Sequence, residues 1–160
     1  MYRRGVIEET AVTLKTHHRQ IVVQSEECMQ FIDLTEQIAR IVAESGVRLG
    51  MVNVQTRHTT SAIIVNENEP LLLEDMGVAL ERFAPRAALY QHNDFSRRLD
   101  LPPDERANGH SHCKALFLPT AVSINIVDGE LQLGRWQSVF FVELDVALMR
   151  LISVIVIGEG

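Results

Sequence analysis

The order of strand-like and helix-like stretches constrains the fold of this chain more than any other feature. Apolar residues alternate in some stretches, as in strands, and recur every three or four residues in others, as in helices. The order is two strands, a helix, two strands and a helix, at residues 6–14, 20–24, 31–44, 47–55, 61–66 and 69–83. This order lacks the regular alternation of strand and helix that builds parallel sheets. We therefore predict a compact α+β fold with two main helices packed on mixed or antiparallel β-sheets.

The last third of the chain is predicted to be β-rich and to follow a long loop. Residues 84–109 contain three prolines and a glycine among many charges, and long ordered loops are often functional. Strands are predicted beyond it at residues 114–118, 121–127, 130–133, 137–144 and 151–157. The Asp128-Gly129 pair favours a tight hairpin turn between two of these strands.

Length and composition exclude several classes of protein. A chain of 160 residues suits one domain, which we expect to span residues 1–160. A net charge of −6 argues against a nucleic-acid partner, because phosphate backbones require clustered positive charge. The sequence has neither a membrane-spanning apolar stretch nor a secretion signal, so we expect no membrane partner and a cytoplasmic location. Cys28 and Cys113 form no CxxC motif and are expected to be reduced.

Four of the six histidines lie in polar, turn-like stretches: His58, His92, His110 and His112. His110 and His112 are separated by one residue, so they would point to the same side of an extended chain, because side chains alternate along a strand. Neutral imidazole binds zinc and similar ions, and three protein ligands plus water make a catalytic site. The pattern predicts a divalent metal site, with zinc favoured, although each histidine could instead have a structural role.

Four other features leave alternatives open. Hydroxyls in residues 57–61 could bind a phosphate or satisfy backbone groups in a turn. Asn68 could cap the second helix, or the start of that helix could hold an anion. Trp136 could belong to the core or form a platform for a flat heterocycle. Glu143, in a strongly apolar strand, needs a partner: it could be an acid/base with a raised pKa, a metal ligand, or half of an ion pair with Arg150.

Five short blocks, in this order and spacing, carry a family resemblance. They are His58-Thr59-Thr60-Ser61-Ala62, Asn66-Glu67-Asn68, Asn108-Gly109-His110-Ser111-His112, Leu133-Gly134-Arg135-Trp136-Gln137 and Val156-Ile157-Gly158-Glu159. With them the chain resembles the YjbQ family, also called the secondary thiamine-phosphate synthase type. The resemblance covers nearly the whole chain and is clearest from about residue 48 to residue 159.

The resemblance implies a compact α+β protein that assembles as a homotrimer. It also implies that the shared polar residues cluster in one pocket near a subunit boundary, where they bind a metal or an anion. The matching positions are His58, Asn66, Glu67, Asn68, His92, Asp94, Asn108, His112, Trp136, Gln137, Glu143 and Arg150, while His110 matches only some members. Weak thiamine-phosphate synthase activity is a further implication, with the physiological substrate unknown.

The chain departs from the family pattern just after His112. Leu116 and Ala121 stand where members have serine, Pro119 stands where they have glycine, and Ser138 stands where glycine is common. If these positions line the pocket, its shape or its anion preference has changed.

The first functional hypothesis is a metal-assisted enzyme acting on a small phosphorylated or heterocyclic metabolite. In it, His58, His92, His112 and His110 hold the metal, Glu143 or Glu67 is the acid/base, and Lys114 or Arg57 neutralises phosphate. The positions expected to contact substrate are Asn66, Asn68, Asn108, Lys114, Trp136, Gln137 and Thr59. Departure of pyrophosphate usually needs magnesium on carboxylates, which a histidine-rich site does not suit, so synthase activity is expected as a side reaction.

Two other hypotheses use the same residues. In one, the protein is a non-catalytic trimeric module that binds a metabolite or a metal as a sensor or store. In the other, the histidines serve only the contact between subunits.

Overall fold

The computed structural model describes residues 13–160, which form eight strands and three α-helices. The strands are β1 Leu14–Gln24, β2 Gln30–Asp33, β3 Leu49–Thr56, β4 Ser61–Asn66, β5 Ala121–Val127, β6 Glu130–Leu131, β7 Ser138–Glu143 and β8 Met149–Glu159. The helices are α1 Thr35–Ser45, α2 Pro70–Phe83 and α3 Gly109–Ala115. Two single-turn 3₁₀ helices, Gln91–Asn93 and Phe95–Arg97, lie in the long loop between α2 and α3.

The strands form two sheets in which every pairing is antiparallel. The larger sheet has the order β1-β8-β3-β5-β6, and the smaller sheet has the order β2-β7-β4. The predicted α+β class is confirmed, and the sheets are antiparallel rather than mixed. The predicted hairpin turn is also present: Asp128 and Gly129, with φ of 56° and 85°, lie between β5 and β6.

The main core lies between α1 and the larger sheet. Ile38, Ile41 and Val42 recur on one face of α1 and are buried there, as their helical spacing predicts. The inner face of the sheet contributes Ile21, Val23, Val52, Val54, Ile124, Ile126, Ile152, Val154 and Val156. Asp33 Oδ1 accepts a hydrogen bond from Thr35 N at 2.8 Å at the start of α1, and Gly46 ends the helix in the left-handed conformation.

Strand β7 is buried on both faces, which explains its continuous apolar run. Val139 and Phe141 pack into the main core. Phe140 and Val142 point to the other side, into a second cluster that includes Leu73 and Leu80 of α2. The smaller sheet is therefore an interior layer between the main core and α2.

The register of β4 against β7 gives the smaller sheet two chemically different ends. Ser61 pairs with Glu143 at one end, and Asn66 pairs with Ser138 at the other. We call the first the charged end, because Glu143, Asp145 and Arg150 lie there. We call the second the amide end, for the side chains of Asn66, Asn68 and Gln137.

Some predicted elements have different bounds. Residues 31–33 belong to β2, so α1 begins at Thr35 and not at residue 31. The predicted strand at residues 114–118 is wrong: these residues form the end of α3 and the turn that follows it. The inward side chains of α3 and of this turn are Ser111, Lys114, Ala115 and Leu118. They are spaced three or four residues apart, which is helical spacing. The predicted strand at residues 6–14 lies outside the described residues except at its end.

The helices of residues 13–160 are too short or too polar to cross a bilayer. This agrees with the apolar stretches of the sequence, which end well before membrane-spanning length.

Candidate functional site

A pocket of about 440 Å³ opens at the charged end of the smaller sheet. Its lining consists of Arg57, His58, Thr59, Thr60, His92, Arg98, Glu105, Arg106, Asn108, His112 and Arg150. The β3–β4 loop, the long loop, α3 and the start of β8 supply these residues. Charged and imidazole side chains dominate the lining, which is typical of a site for a polar ligand.

The β3–β4 loop, residues 57–60, is held tightly at both ends. Thr56 Oγ1 and Ser61 Oγ share a buried hydrogen bond of 2.6 Å across the base of the loop. Leu144 N, just beyond β7, donates to Thr60 O at 3.2 Å. The four loop residues line the pocket above a base that these hydrogen bonds hold together.

Glu143 lies behind the pocket in a buried ion pair. Its side chain is fully buried and accepts hydrogen bonds from Arg150 Nε at 2.6 Å and from Arg150 Nη2 at 2.5 Å. Ser25 Oγ donates to it at 3.1 Å, and Asp145 N at 3.0 Å. Of the three roles that the sequence left open for Glu143, the structure shows the ion pair with Arg150. Both carboxylate oxygens are occupied, so Glu143 orients Arg150 and is not placed to transfer a proton to a ligand.

Asp145 repeats this arrangement two residues further along the chain. Its side chain is 2% exposed, and Oδ2 accepts from Arg106 Nε at 3.0 Å and Arg106 Nη2 at 2.8 Å. Asn108 Nδ2 donates to the same oxygen at 3.0 Å. Arg106 and Asn108 line the pocket while Asp145 does not. The counter-charge therefore lies behind the residues that a ligand can reach.

Glu105 is the carboxylate that does line the pocket. Its Oε1 is 2.5 Å from Arg98 Nη1, which also donates to His92 O at 3.0 Å. The same oxygen is 3.7 Å from His92 Nε2. These contacts join three residues of the long loop to one another. They also place the guanidinium of Arg98 next to the carboxylate of Glu105.

The three histidines that line the pocket make different contacts. The rings of His92 and His112 meet edge to face, with centroids 4.7 Å apart. His58 Nε2 accepts a hydrogen bond from Leu151 N at 3.2 Å, which requires an unprotonated Nε2. Burial, followed by the charge of Arg150, lowers the pKa of His58. Burial, followed by the charge of His92, lowers the pKa of His112, so both rings are neutral at pH 7.

The structure brings some of the predicted site residues together. Pocket residues predicted from the sequence are His58, His92, His112, Thr59 and Asn108, with Arg57 and Arg150 beside them. These residues lie far apart in the sequence.

His110 is separated from His112, contrary to the predicted geometry. The segment is helical, and residues two apart on a helix point to nearly opposite sides. His110 is 2% exposed and its Nε2 lies 3.1 Å from Ser111 Oγ, outside the pocket lining. Burial lowers the pKa of His110. The expected pairing of these two histidines on one side of a strand is therefore wrong.

Lys114 has a structural role. Its side chain is fully buried, and Nζ donates to Glu81 Oε2 at 2.9 Å and to Ala84 O at 2.8 Å. These bonds join α3 to the end of α2. The ammonium group is thus already engaged and lies away from the pocket lining.

The other predicted site residues are at or beside the amide end: Asn66, Glu67, Asn68, Trp136 and Gln137. At about 3.4 Å per residue, the length of β4 separates that end from the pocket by roughly 17 Å. Asn68 Nδ2 donates to Asp33 Oδ2 at 2.8 Å, and Glu69, not Asn68, caps α2. Trp136 is 60% exposed with Arg135 stacked on its ring, so it is not a core residue.

The positions that depart from the family pattern also lie away from the pocket lining. Leu116 is 76% exposed in the turn after α3. Pro119 O accepts from Ile63 N at 3.0 Å, and Ala121 begins β5. None of these three residues is among those that line the pocket.

Sequence reasoning missed four charged residues at the site. Arg98, Glu105 and Arg106 all lie in the long loop, where the density of charge was the available signal. Asp145 follows Glu143 by two residues, a spacing that places both on the same side of an extended chain. Which charges pair was not visible, because the partners lie in different segments.

The arrangement does not fit the predicted metal centre of His58, His92, His112 and His110. In the part of the chain that the structure describes, no three His, Cys, Asp or Glu side chains are placed to hold a metal ion. His58 is engaged with Leu151 N, and His110 is on another face of α3. Among residues 13–160, the two imidazoles that contact each other are those of His92 and His112.

Comparison with known proteins identifies similar chains. The family model described as UPF0047 protein YjbQ-like matches residues 19–159. A UPF0047 protein from Methanothermobacter thermautotrophicus is 34% identical over 148 residues, which cover 92% of this chain and 96% of the relative. The UPF0047 protein YjbQ from Escherichia coli O157:H7 is 28% identical, covering 69% of this chain and 75% of its own length.

Solved structures agree with this similarity. A YbjQ-like protein of unknown function from Sulfolobus solfataricus superimposes with a TM-score of 0.83 and 31% identity, covering 92% of this chain and 100% of that one. A hypothetical protein from Aeropyrum pernix gives a TM-score of 0.80 and 28% identity, covering 89% and 99%.

Proposed function

The chain belongs to the YjbQ-like UPF0047 family, a family of unknown function, and from that premise we propose an enzyme of small-molecule metabolism. It binds a small phosphorylated metabolite in the pocket at the charged end and uses an imidazole for proton transfer. The observation that carries the proposal is the convergence of four arginines and three histidines on one pocket.

The electrostatics of the pocket favour an anionic ligand. Arg150 reaches the lining, whereas its carboxylate partner Glu143 lies behind it, and Arg57, which also lines the pocket, has no ion-pair partner among residues 13–160. The ligand therefore meets one guanidinium that is fixed by a buried carboxylate and one that has no counter-charge within that range. Guanidinium groups pair well with phosphate because their planar donors match its oxygens.

His112 is the residue best suited to proton transfer. It lines the pocket, and burial lowers its pKa, so the ring is neutral and can accept a proton at pH 7. His92 lies against it, and Glu105 Oε1 is 3.7 Å from His92 Nε2. Glu67, at the amide end, is too distant for this role.

A matched pair of variants tests the proposal. Binding is measured by calorimetry with inorganic phosphate and small phosphate esters, and turnover of phosphorylated metabolites is followed by phosphorus NMR. His112→Gln is expected to retain ligand binding and to lose about 10²–10⁴-fold in turnover, the usual contribution of a general acid or base. Arg40→Gln, on an exposed face of α1, is the control. Binding without turnover in the parent protein would favour the non-catalytic module.

The narrower version of the proposal is weak thiamine-phosphate synthase activity. In that reaction a thiazole phosphate displaces pyrophosphate from a pyrimidine pyrophosphate. The arginines could stabilise the departing charge, as cationic clamps do in phosphate chemistry. Incubation with both substrates, with and without magnesium, checks for thiamine phosphate. Absence of product under both conditions would remove this version and leave the phosphorylated-metabolite proposal standing.

Metal binding is the second candidate, favoured by one observation. His92 Nε2 is buried without a hydrogen-bond partner among the described residues, and the ring of His112 is adjacent. Two imidazoles can begin a zinc site, but further ligands must come from a substrate or another subunit. Elemental analysis of protein without a histidine tag, after dialysis against zinc, is the test. Retained stoichiometric zinc, lost in His92→Gln, would support the site.

We also propose a homotrimer located in the cytoplasm. Helix α2 has no buried residue in the protomer, and Leu71, Phe83 and Phe117 are 68%, 53% and 65% exposed. Apolar surface of this kind is typical of a subunit contact. Both cysteines are free thiols, as expected in a reducing compartment. Sedimentation equilibrium should give three times the protomer mass of 18.0 kDa, and Phe83→Glu should reduce it.

A further inference from the structure

We propose that the pocket has two sides: an anion subsite in the β3–β4 loop, in which Arg57 selects a phosphate monoester, and an opposite side that binds the hydroxyl-bearing or N–H-bearing organic group. This inference rests on the proposed function and extends it to the orientation of the ligand and its chemical class.

The charge balance of the two sides differs. On the side of the long loop, Arg98 is paired with Glu105, and Arg106 is paired with Asp145. On the side of the β3–β4 loop, Arg150 is paired with Glu143. Arg57 has no ion-pair or hydrogen-bond partner among residues 13–160, although it lines the same pocket.

The excess positive charge therefore lies on the β3–β4 side. Arg57 is exposed and lines the pocket next to His58 and Thr59, so its guanidinium is accessible to a ligand there. An anion entering the pocket gains most by approaching this side, where no carboxylate of residues 13–160 is paired with Arg57.

The β3–β4 loop also offers uncommitted hydrogen-bond donors. The backbone N–H groups of Arg57, Thr59 and Thr60 have no acceptor in the described chain. Thr60 Oγ1 accepts from Arg150 Nη2 at 3.2 Å, which leaves its own proton free to donate. Arg57, Thr59 and Thr60 all line the pocket, so a guanidinium and two hydroxyls are available to a ligand on this side. They suit the three terminal oxygens of a phosphate monoester.

The opposite side is electrically balanced but holds unsatisfied polar atoms. Asn108 Oδ1 and His92 Nε2 are buried without a hydrogen-bond partner in the described residues. Asn108 Nδ2 donates to Asp145, which identifies the free atom of this amide as the carbonyl oxygen, an acceptor. A ligand O–H or N–H donor would satisfy it and so remove the cost of leaving it unpaired. This side therefore suits an uncharged, hydrogen-bonding organic group.

Calorimetric titration of the full chain with inorganic phosphate tests the anion subsite. Arg57→Gln is expected to weaken phosphate binding about tenfold or more, because a charge-assisted contact is lost. Arg57→Lys is expected to recover part of the affinity. Arg40→Gln removes another exposed arginine, one that lies outside this pocket, and is expected to change affinity less than twofold.

Three outcomes are distinguishable. If the parent protein binds neither inorganic phosphate nor a phosphate ester, the proposed function itself fails. If the parent binds and Arg57→Gln matches Arg40→Gln, the subsite inference is overturned while the proposed function stands. Tenfold weakening in Arg57→Gln alone supports the inference.

A second titration tests the organic side. Glycerol 1-phosphate, which carries hydroxyl donors, is expected to bind more tightly than methyl phosphate, which carries none. Equal affinities for the two esters would overturn the assignment of the long-loop side to a donor-bearing group.

Discussion

The two ends of the smaller sheet terminate the same strands with opposite chemistry. At the charged end, Glu143 and Asp145 are buried, and each holds an arginine by two hydrogen bonds. At the amide end, Asn66 and Asn68 are exposed, and Asn68 has one side-chain bond, to Asp33. Both ends match blocks shared with the family, yet the pocket lined by four arginines and three histidines lies at the charged end.

This difference shows that a buried charge network marks a built site better than a polar motif does. Burying a carboxylate is costly unless it is paired, so the protein keeps such groups only within complete networks. Exposed amides carry no such cost and need no partner. The amide end can still contribute to function if another subunit covers it, as the trimer proposal allows.

Loss of the Glu143 carboxylate should have the largest effect. Glu143→Ala leaves the Arg150 guanidinium buried without a counter-charge and is expected to cost about 3–5 kcal/mol of unfolding free energy. Urea unfolding followed by circular dichroism measures it. The matched change at the other end, Asp33→Ala, removes an exposed acceptor and should cost far less. Equal losses would contradict the contrast between the two ends.

The Asp145 contact should come second, because its arginine is partly solvated. Asp145→Asn removes the charge that holds Arg106 and Asn108, and we expect a loss of about 1–3 kcal/mol. Arg106 is 39% exposed and can regain water, which limits the cost. The same unfolding assay applies. A loss as large as that of Glu143→Ala would mean that solvent access does not separate the two pairs.

The pH dependence of stability should distinguish the histidine-rich side of the molecule from the rest. Burial lowers the pKa of His58, His110 and His112 below the value of 6.5 for a free side chain. As the pH falls through 6.5, the unfolded chain takes up protons before the folded protein does, so stability decreases. Unfolding free energy should be lower at pH 5.5 than at pH 7.5. His112→Gln should reduce that difference, and an unchanged difference would contradict the assignment for His112.

The smallest effect is expected at the amide end. Asn68→Ala removes one exposed hydrogen bond to Asp33 and should change the unfolding free energy by about 0.5 kcal/mol or less. Phosphate affinity should also stay within twofold of the parent value, as calorimetry would show. Weakened phosphate binding in this variant would mean that the amide end influences the pocket, and it would contradict the contrast between the two ends of the smaller sheet.

The fold was predictable where the local pattern and the tertiary environment agree. The burial of Ile38, Ile41 and Val42 followed from their spacing, and β4 was predicted with its observed bounds, Ser61–Asn66. Prediction failed at α3, because a seven-residue helix completes only about two turns and its few inward positions do not distinguish a helix from a short strand. That error also placed His110 beside His112, since the side on which a side chain lies depends on the secondary structure.

The sequence by itself determined the α+β class, the family and the residue types from which a site could be built, because these follow from local periodicity and short motifs. Only the tertiary structure decided that Glu143 serves Arg150, that Lys114 is committed to Glu81, and that the long loop brings its charges to the β3–β4 loop. Ion pairs between distant segments depend on how the sheets align, and a linear pattern carries no information on that alignment.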